Sequence, residues 1–278
     1  MRIWRELTIW AVSFCSKAGD GMKYFYDYFA KKYRVNRKDK LFPAPTAMFR
    51  GIRPVDVKNC RGVLKKSFDG CRDGRKTEVL KRLFGEYRQY VSGCYNEQAK
   101  ERYNAFVYRY MLGTHVGSRA IAVKLGVTRE TVHNYINRCI AEMLMLCMGM
   151  PAAVDYPKSR EEIVCMLLRC HRLFNGMAGD YVLSLFDGKG EKAAVEQGRQ
   201  LTRVIMERFA EAVGAYSEYC NDEHTRIDTD IRKADILEKC LVGVPPAVIA
   251  REYGCCESTV YADIRENERR LGAMLFDV

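Results

Sequence analysis

Apolar residues recur along this chain at spacings of three and four, the period of one helical face. In "TEVLKRLFGEYRQYV", Val79, Leu80, Leu83, Tyr87 and Tyr90 fall on one stripe. In "SREEIVCMLLRCHRLF", Ile163, Met166, Leu167 and Cys170 do the same, and Ser159 with Glu162 forms a capping box ahead of them. Few segments alternate with period two, so the pattern predicts an all-α fold. Prolines and glycines punctuate it at 41–56, "LFPAPTAMFRGIRPVD", and at 149–159, "GMPAAVDYPKS"; the second reads as a linker over 151–158.

Laying the chain on itself suggests an internal repeat. "LKKSFDG" (64–70) faces "CHRLFNG" (170–176), and "YVSGCYNE" (90–97) faces "YSEYCNDE" (216–223). "IAVKLGVTRETV" (121–132) faces "IAREYGCCESTV" (249–260). The growing offset predicts extra residues in the second copy near "GMAGDYVLSLFDGKGEKAAVEQG". The expected architecture is two related helical modules, 56–150 and 159–278, each ending in a tight helix pair, 118–137 and 246–265. Residues 1–21 read as an N-terminal extension and 22–55 as an arm rich in aromatic and basic residues.

The first pair has the residues a helix-turn-helix requires. Ala122 is small where the helices approach. Gly126 can take the positive-φ turn position. Thr128 suits the N-cap of the second helix. Ile121, Leu125, Val127, Val132, Tyr135 and Ile136 form the shared core. Arg129, Glu130, Thr131, His133, Asn134 and Asn137 remain for the outer face at the end that enters a major groove. Arg suits guanine, Asn suits adenine, and Glu can accept from cytosine, so these six are the candidate base readers.

"IAVKLGVTRETVHNYI" resembles the region 4 helix-turn-helix of bacterial sigma factors, with threonine where that family has serine, over about residues 115 to 146. No segment resembling the region that melts the −10 element is apparent. The whole chain resembles, more loosely, late-gene regulators of phages and mobile elements (the ArpU/RinA type). The resemblance implies promoter binding by duplex DNA recognition and contact with RNA polymerase.

The second pair departs from the pattern. Cys256 stands at the cap position, Cys255 replaces the turn valine, and Asp263 replaces Tyr135 at an inward position. Its outward candidates include Ser258, Tyr261 and Arg265, for contact with DNA or with protein. Glu257 and Asp263 would repel phosphate. Two unequal modules on one chain could span two half-sites as a pseudo-dimer.

The net charge of +11 favours an anionic partner. "KKYRVNRKDK" (31–40) has six Lys or Arg in ten residues. Lys31, Lys32, Arg34, Arg37 and Lys38 are candidate phosphate contacts, together with Thr128, Arg119 and Arg138. The same arm also reads as an amphipathic helix with its lysines in water. "RGVLKKSFDGCRDGRK" (61–76) is a second basic stretch that could track a phosphate backbone.

The twelve cysteines include no Cys-x-x-Cys pair and sit mostly among apolar neighbours, as expected of reduced thiols in a cytoplasmic protein. Cys165, Cys170, Cys220 and His224 are the nearest approach to a metal site, but the first two do not share a helical face. No metal and no cofactor is expected. No phosphate-binding P-loop, no Gly-x-Ser-x-Gly and no His-x-x-Arg occurs, and the other histidines, His115 and His171, read as surface or packing residues. The expectation is a non-enzyme without a membrane span: a DNA-binding regulator or, alternatively, an adaptor for RNA polymerase or another protein.

Overall fold

The computed structural model describes residues 52–70, 74–112, 116–153, 159–221 and 228–276, and within these the chain forms only helices and turns. The first five helices are α1 (Pro54–Gly70), α2 (Gly74–Ser92), α3 (Glu97–Tyr110), α4 (Ser118–Leu125) and α5 (Arg129–Met148). The last five are α6 (Arg160–Asn175), α7 (Lys189–Asn221), α8 (Asp228–Leu241), α9 (Pro246–Glu252) and α10 (Glu257–Phe276). Short polar side chains start several of them. Asn96 accepts from the Gln98 N–H at 2.8 Å, and Ser159 accepts from the Glu162 N–H at 3.2 Å. The predicted stripes are inward: Leu80, Leu83, Tyr87, Ile163, Met166 and Leu167 are buried, with Val79, Tyr90 and Cys170 packed at the core's edge. No described helix is long and apolar enough to cross a membrane.

α5 organises the core. Among its first ten residues only Val132, Tyr135 and Ile136 are apolar, at helical spacing. From Cys139 onward it is buried on every side, through the unbroken run Glu142 to Met148. A helix that is apolar all round must be surrounded by other helices. α1, α2, α3, α6 and α7 provide those walls.

Each half has the same neighbours in the same order. α5 packs on α1, α2, α3 and α4, and α10 packs on α6, α7, α8 and α9. The halves differ mainly in the second helix, 33 residues in α7 against 19 in α2. The surplus lies where the sequence suggests extra residues, in a 3-10 turn (Asp180–Leu185) and the first turns of α7.

That surplus joins the halves. Arg199 of α7 is buried and donates to the Cys147 carbonyl at 2.9 Å, capping the end of α5, while its other nitrogen meets Asp180 at 2.8 Å. Thr202 Oγ1 accepts from the Met150 N–H at 2.9 Å and donates to the Gly198 carbonyl at 2.7 Å. Of the expected linker 151–158, only 151–153 lie within the described residues. Met150–Ala152 is a buried 3-10 turn, and one hydrophobic cluster runs from Ile52 to Leu275 across both halves. Pro151 ends α5 as the sequence suggests, but the chain then turns against α7 instead of into solvent.

The two halves also carry matched buried ion networks of opposite sign. In the first, Glu142 accepts from Arg102 at 3.2 Å, from Arg138 at 3.0 Å and from the Tyr87 hydroxyl at 2.7 Å. In the second, Arg270 meets Asp230 at 3.1 Å, Glu266 at 2.8 Å and the Tyr216 hydroxyl at 3.4 Å. Arg102 and Asp230, Arg138 and Glu266, and Glu142 and Arg270 are each 128 positions apart, the spacing of the two helix pairs. All three charges are exchanged. Tyr216 therefore corresponds to Tyr87, not to Tyr90 as the short sequence match suggests.

Candidate nucleic-acid interface

The turn between α4 and α5 is built as its residues require. Gly126 takes φ 65°, and the Val127 N–H donates to the Ala122 carbonyl at 3.0 Å. Thr128 caps α5, its Oγ1 accepting from the Thr131 N–H at 3.1 Å. Ile121, Ala122, Val132 and Ile136 are buried beneath, with Leu125, Val127 and Tyr135 packed at the edge. The Tyr135 hydroxyl donates to Glu101 at 2.7 Å and ties the outer half of α5 to α3.

Arg129, Glu130, His133, Asn134 and Asn137 are exposed on the outward face of α5. They occupy its first three turns, the only part of the helix outside the core. Thr131, the sixth candidate, is half-buried, and its hydroxyl pairs with that of Thr128 at 2.8 Å. Arg138, a candidate phosphate contact, is exposed on the same side and also bonds Glu142 through its Nε. Its spacing of four from buried Glu142 draws its guanidinium into the ion network. Arg119 is exposed on the first turn of α4. Lys31, Lys32, Arg34, Arg37 and Lys38 lie outside the described residues.

Two features of this face were not singled out by sequence. Val123 is 80% exposed on α4, and the Lys124 ammonium sits 4.8 Å from the Tyr108 ring centre. Their place beside the buried Ile121 and Ala122, on the opposite side of a short helix, is the signal that would have found them.

The second pair repeats the turn. Gly254 takes φ 60°, and the Cys255 N–H donates to the Ala250 carbonyl at 3.0 Å. Ile249, Ala250 and Val260 pack with Ile236 of α8 in a separate small cluster. Asp263 does not face solvent as a repelling charge: it is buried and paired with Arg232 at 3.0 Å. Ser258, Tyr261 and Arg265 are exposed, with Glu257 beside them.

At the cap of α10, sulfur stands where oxygen is usual. The Cys256 thiol lies 2.9 Å from the Ser258 hydroxyl and 3.1 Å from that of Thr259. The Ser258 hydroxyl, then the Thr259 hydroxyl and N–H, bring its pKa down from 9.0 to about 7. The thiolate is thus favoured in the folded chain between about pH 7 and 9. Stability from this group is present above the unfolded value and is lost as pH falls through about 7. Alkylation of Cys256 by iodoacetamide, followed by peptide mass spectrometry, should be half-maximal near pH 7; a midpoint at 9 would remove the sulfur cap. The buried thiols go the other way, with Cys60 and Cys139 each pushed up to about 12 by burial.

Among the described residues, no three His, Cys, Asp or Glu side chains come together as a metal-holding group. His224, the fourth member of the candidate set, lies outside the described residues, as does His115. His171 packs near Phe209, and burial lowers its pKa.

Compared with known protein families, curated proteins and solved structures, the chain matches none.

Proposed function

We propose that the chain is a sequence-specific transcriptional regulator that reads duplex DNA with α4 and α5 as a helix-turn-helix. One observation carries the reading. Five polar side chains able to meet base edges stand free on the first turns of a capped helix whose other half is locked in the core. The sigma region 4 resemblance of the same residues supports it, as does the charge of +11. Arg129, Glu130, His133, Asn134 and Asn137 read bases, and Arg119 positions the backbone. The second pair has the same turn and the same neighbours, and the matched networks support descent of both halves from one unit. It serves as a weaker, second reading head. The free thiols among the described residues, four of them buried, support a reducing, cytoplasmic setting.

The test is enrichment of random duplexes by the purified protein at about 150 mM salt, where non-specific phosphate binding is weakened. A recovered motif is expected. Arg129→Ala with Asn134→Ala should relax base preference by about 1–3 kcal/mol per lost base contact. An unchanged motif in the double variant removes the recognition role from α5.

A second reading has its own observation. The outward face of the second pair combines Glu257 with Tyr261, 48% exposed, and has few cations. Such a face suits a protein partner, RNA polymerase included. Capture of polymerase without DNA, together with no recovered motif, would favour the adaptor.

A further inference from the structure

α1 lies outside both helix pairs, and its solvent side carries Lys58, Arg61, Lys65 and Lys66, all exposed. The opposite side is the buried row Val57, Cys60, Leu64 and Phe68. Among the described residues, none of the four cations meets a carboxylate. Some helical cations elsewhere are neutralised one turn away, Lys81 by Glu78, Lys100 by Glu97, Arg208 by Glu211 and Arg269 by Glu266, while among the described residues single ones such as Arg88 and Lys192 are not; α1 gathers four on one short helix. The two acids of α1 are already engaged, Asp56 by Arg53 at 2.9 Å and Asp69 by the Tyr110 hydroxyl at 2.9 Å. Like charges three and four apart destabilise a helix, so this stripe has a cost that nothing in the described structure offsets.

Its position gives the reason. Phe68 meets Phe106 edge-on at 4.9 Å, and the Asp69–Tyr110 bond holds the end of α1 against the end of α3. Arg109 of α3 donates to the Val116 carbonyl at 3.2 Å, just before α4 begins. The end of α1 thus lies beside the end of α3, the helix that leads into the first helix pair. From Lys58 to Lys65 the stripe covers about 10 Å of helix axis. DNA presents a phosphate about every 3.4 Å of axis on each strand, so about three lie within that reach. The basic stretch 61–76 is divided by the fold: Lys76 is paired with Asp187 at 2.5 Å and does not belong to the stripe, whereas Lys58, outside the stretch, does.

We propose that Lys58, Arg61, Lys65 and Lys66 of α1 form a phosphate-tracking surface for the flank of the duplex bound by α4 and α5. This rests on the DNA-binding reading above. The stripe is read by its own quantity, the salt dependence of binding, and the readers of α5 by the recovered motif. The experiment measures binding of the full chain to one fixed 30-base-pair duplex from about 50 to 200 mM salt. Changing all four residues to glutamine should flatten the slope of log K against log salt by about 3. A control with Lys81→Gln, Lys100→Gln, Arg208→Gln and Arg269→Gln removes the same net charge and should change the slope by less than about 1. An unchanged slope in the stripe variant, or an equal change in the control, overturns the surface while leaving a recovered motif intact. Failure of the unaltered protein to bind any duplex overturns both readings.

Discussion

Glu142→Ala is expected to lower the free energy of unfolding by about 3–5 kcal/mol, the usual result of removing one partner from a buried ion network. Glu142 is 2% exposed and accepts from two guanidiniums and a buried tyrosine hydroxyl. Its loss strands Arg102, whose side chain is 15% exposed and whose Nε is already buried without a partner. The Tyr87 hydroxyl loses its acceptor in the same step, although the Cys139 sulfur remains at 3.2 Å. Urea unfolding followed by circular dichroism measures the loss. The second half supplies a rescue. Glu142→Arg combined with Arg102→Asp and Arg138→Glu recreates the network of α8 and α10 in α3 and α5. It should recover most of the loss, and Glu142→Arg alone should be at least as damaging as the alanine. A triple variant no more stable than Glu142→Arg would show that the two networks are not interchangeable.

The inversion has a physical use. Were α10 to dock in the place of α5, Arg270 would face Arg102; were α5 to dock in the place of α10, Glu142 would face Asp230. Buried like charges cost several kcal/mol, so the opposite signs disfavour such an exchange of helices.

Gly149→Ala is expected to cost about 2–5 kcal/mol, from a backbone conformation that L residues rarely adopt and from overpacking. Gly149 has φ 77° and ψ −143°, and an added Cβ would lie 2.0 Å from Thr202 Oγ1. That hydroxyl cannot simply withdraw, because it accepts from the Met150 N–H and donates to the Gly198 carbonyl. Gly62→Ala provides the contrast. In the middle of α1 an added Cβ meets nothing within 4 Å, so a gain of about 0.5–1 kcal/mol is expected. The same urea titration reads both. A change under about 0.5 kcal/mol at Gly149 would mean that 149–153 behaves as a free linker, because substitutions away from packed features stay in that range.

The two experiments separate what a linear pattern encodes from what packing adds. Period and caps are local, so the all-α class, the stripes of α2 and α6, the cap at Ser159 and both tight turns were legible. So were the five exposed residues of α5, because subtracting an apolar face from a short helix leaves the outer one. Two contacts at the candidate site were not read from the sequence: the Thr131 hydroxyl pairs with that of the cap, Thr128, and Arg138 reaches a carboxylate one turn on that only packing buries.

The sequence by itself determined the helices, their turns and the near-repetition of the two helix pairs, since these follow from periodicity, chirality and side-chain reach along one strand of chain. Only the tertiary structure decided that Pro151 turns into the core, that the extra turns of α7 join the halves, that Tyr87 answers Tyr216, and that the two ion networks are opposite in sign. Each depends on residues far apart in sequence meeting out of water, where an unpaired charge or a misplaced methyl group costs most.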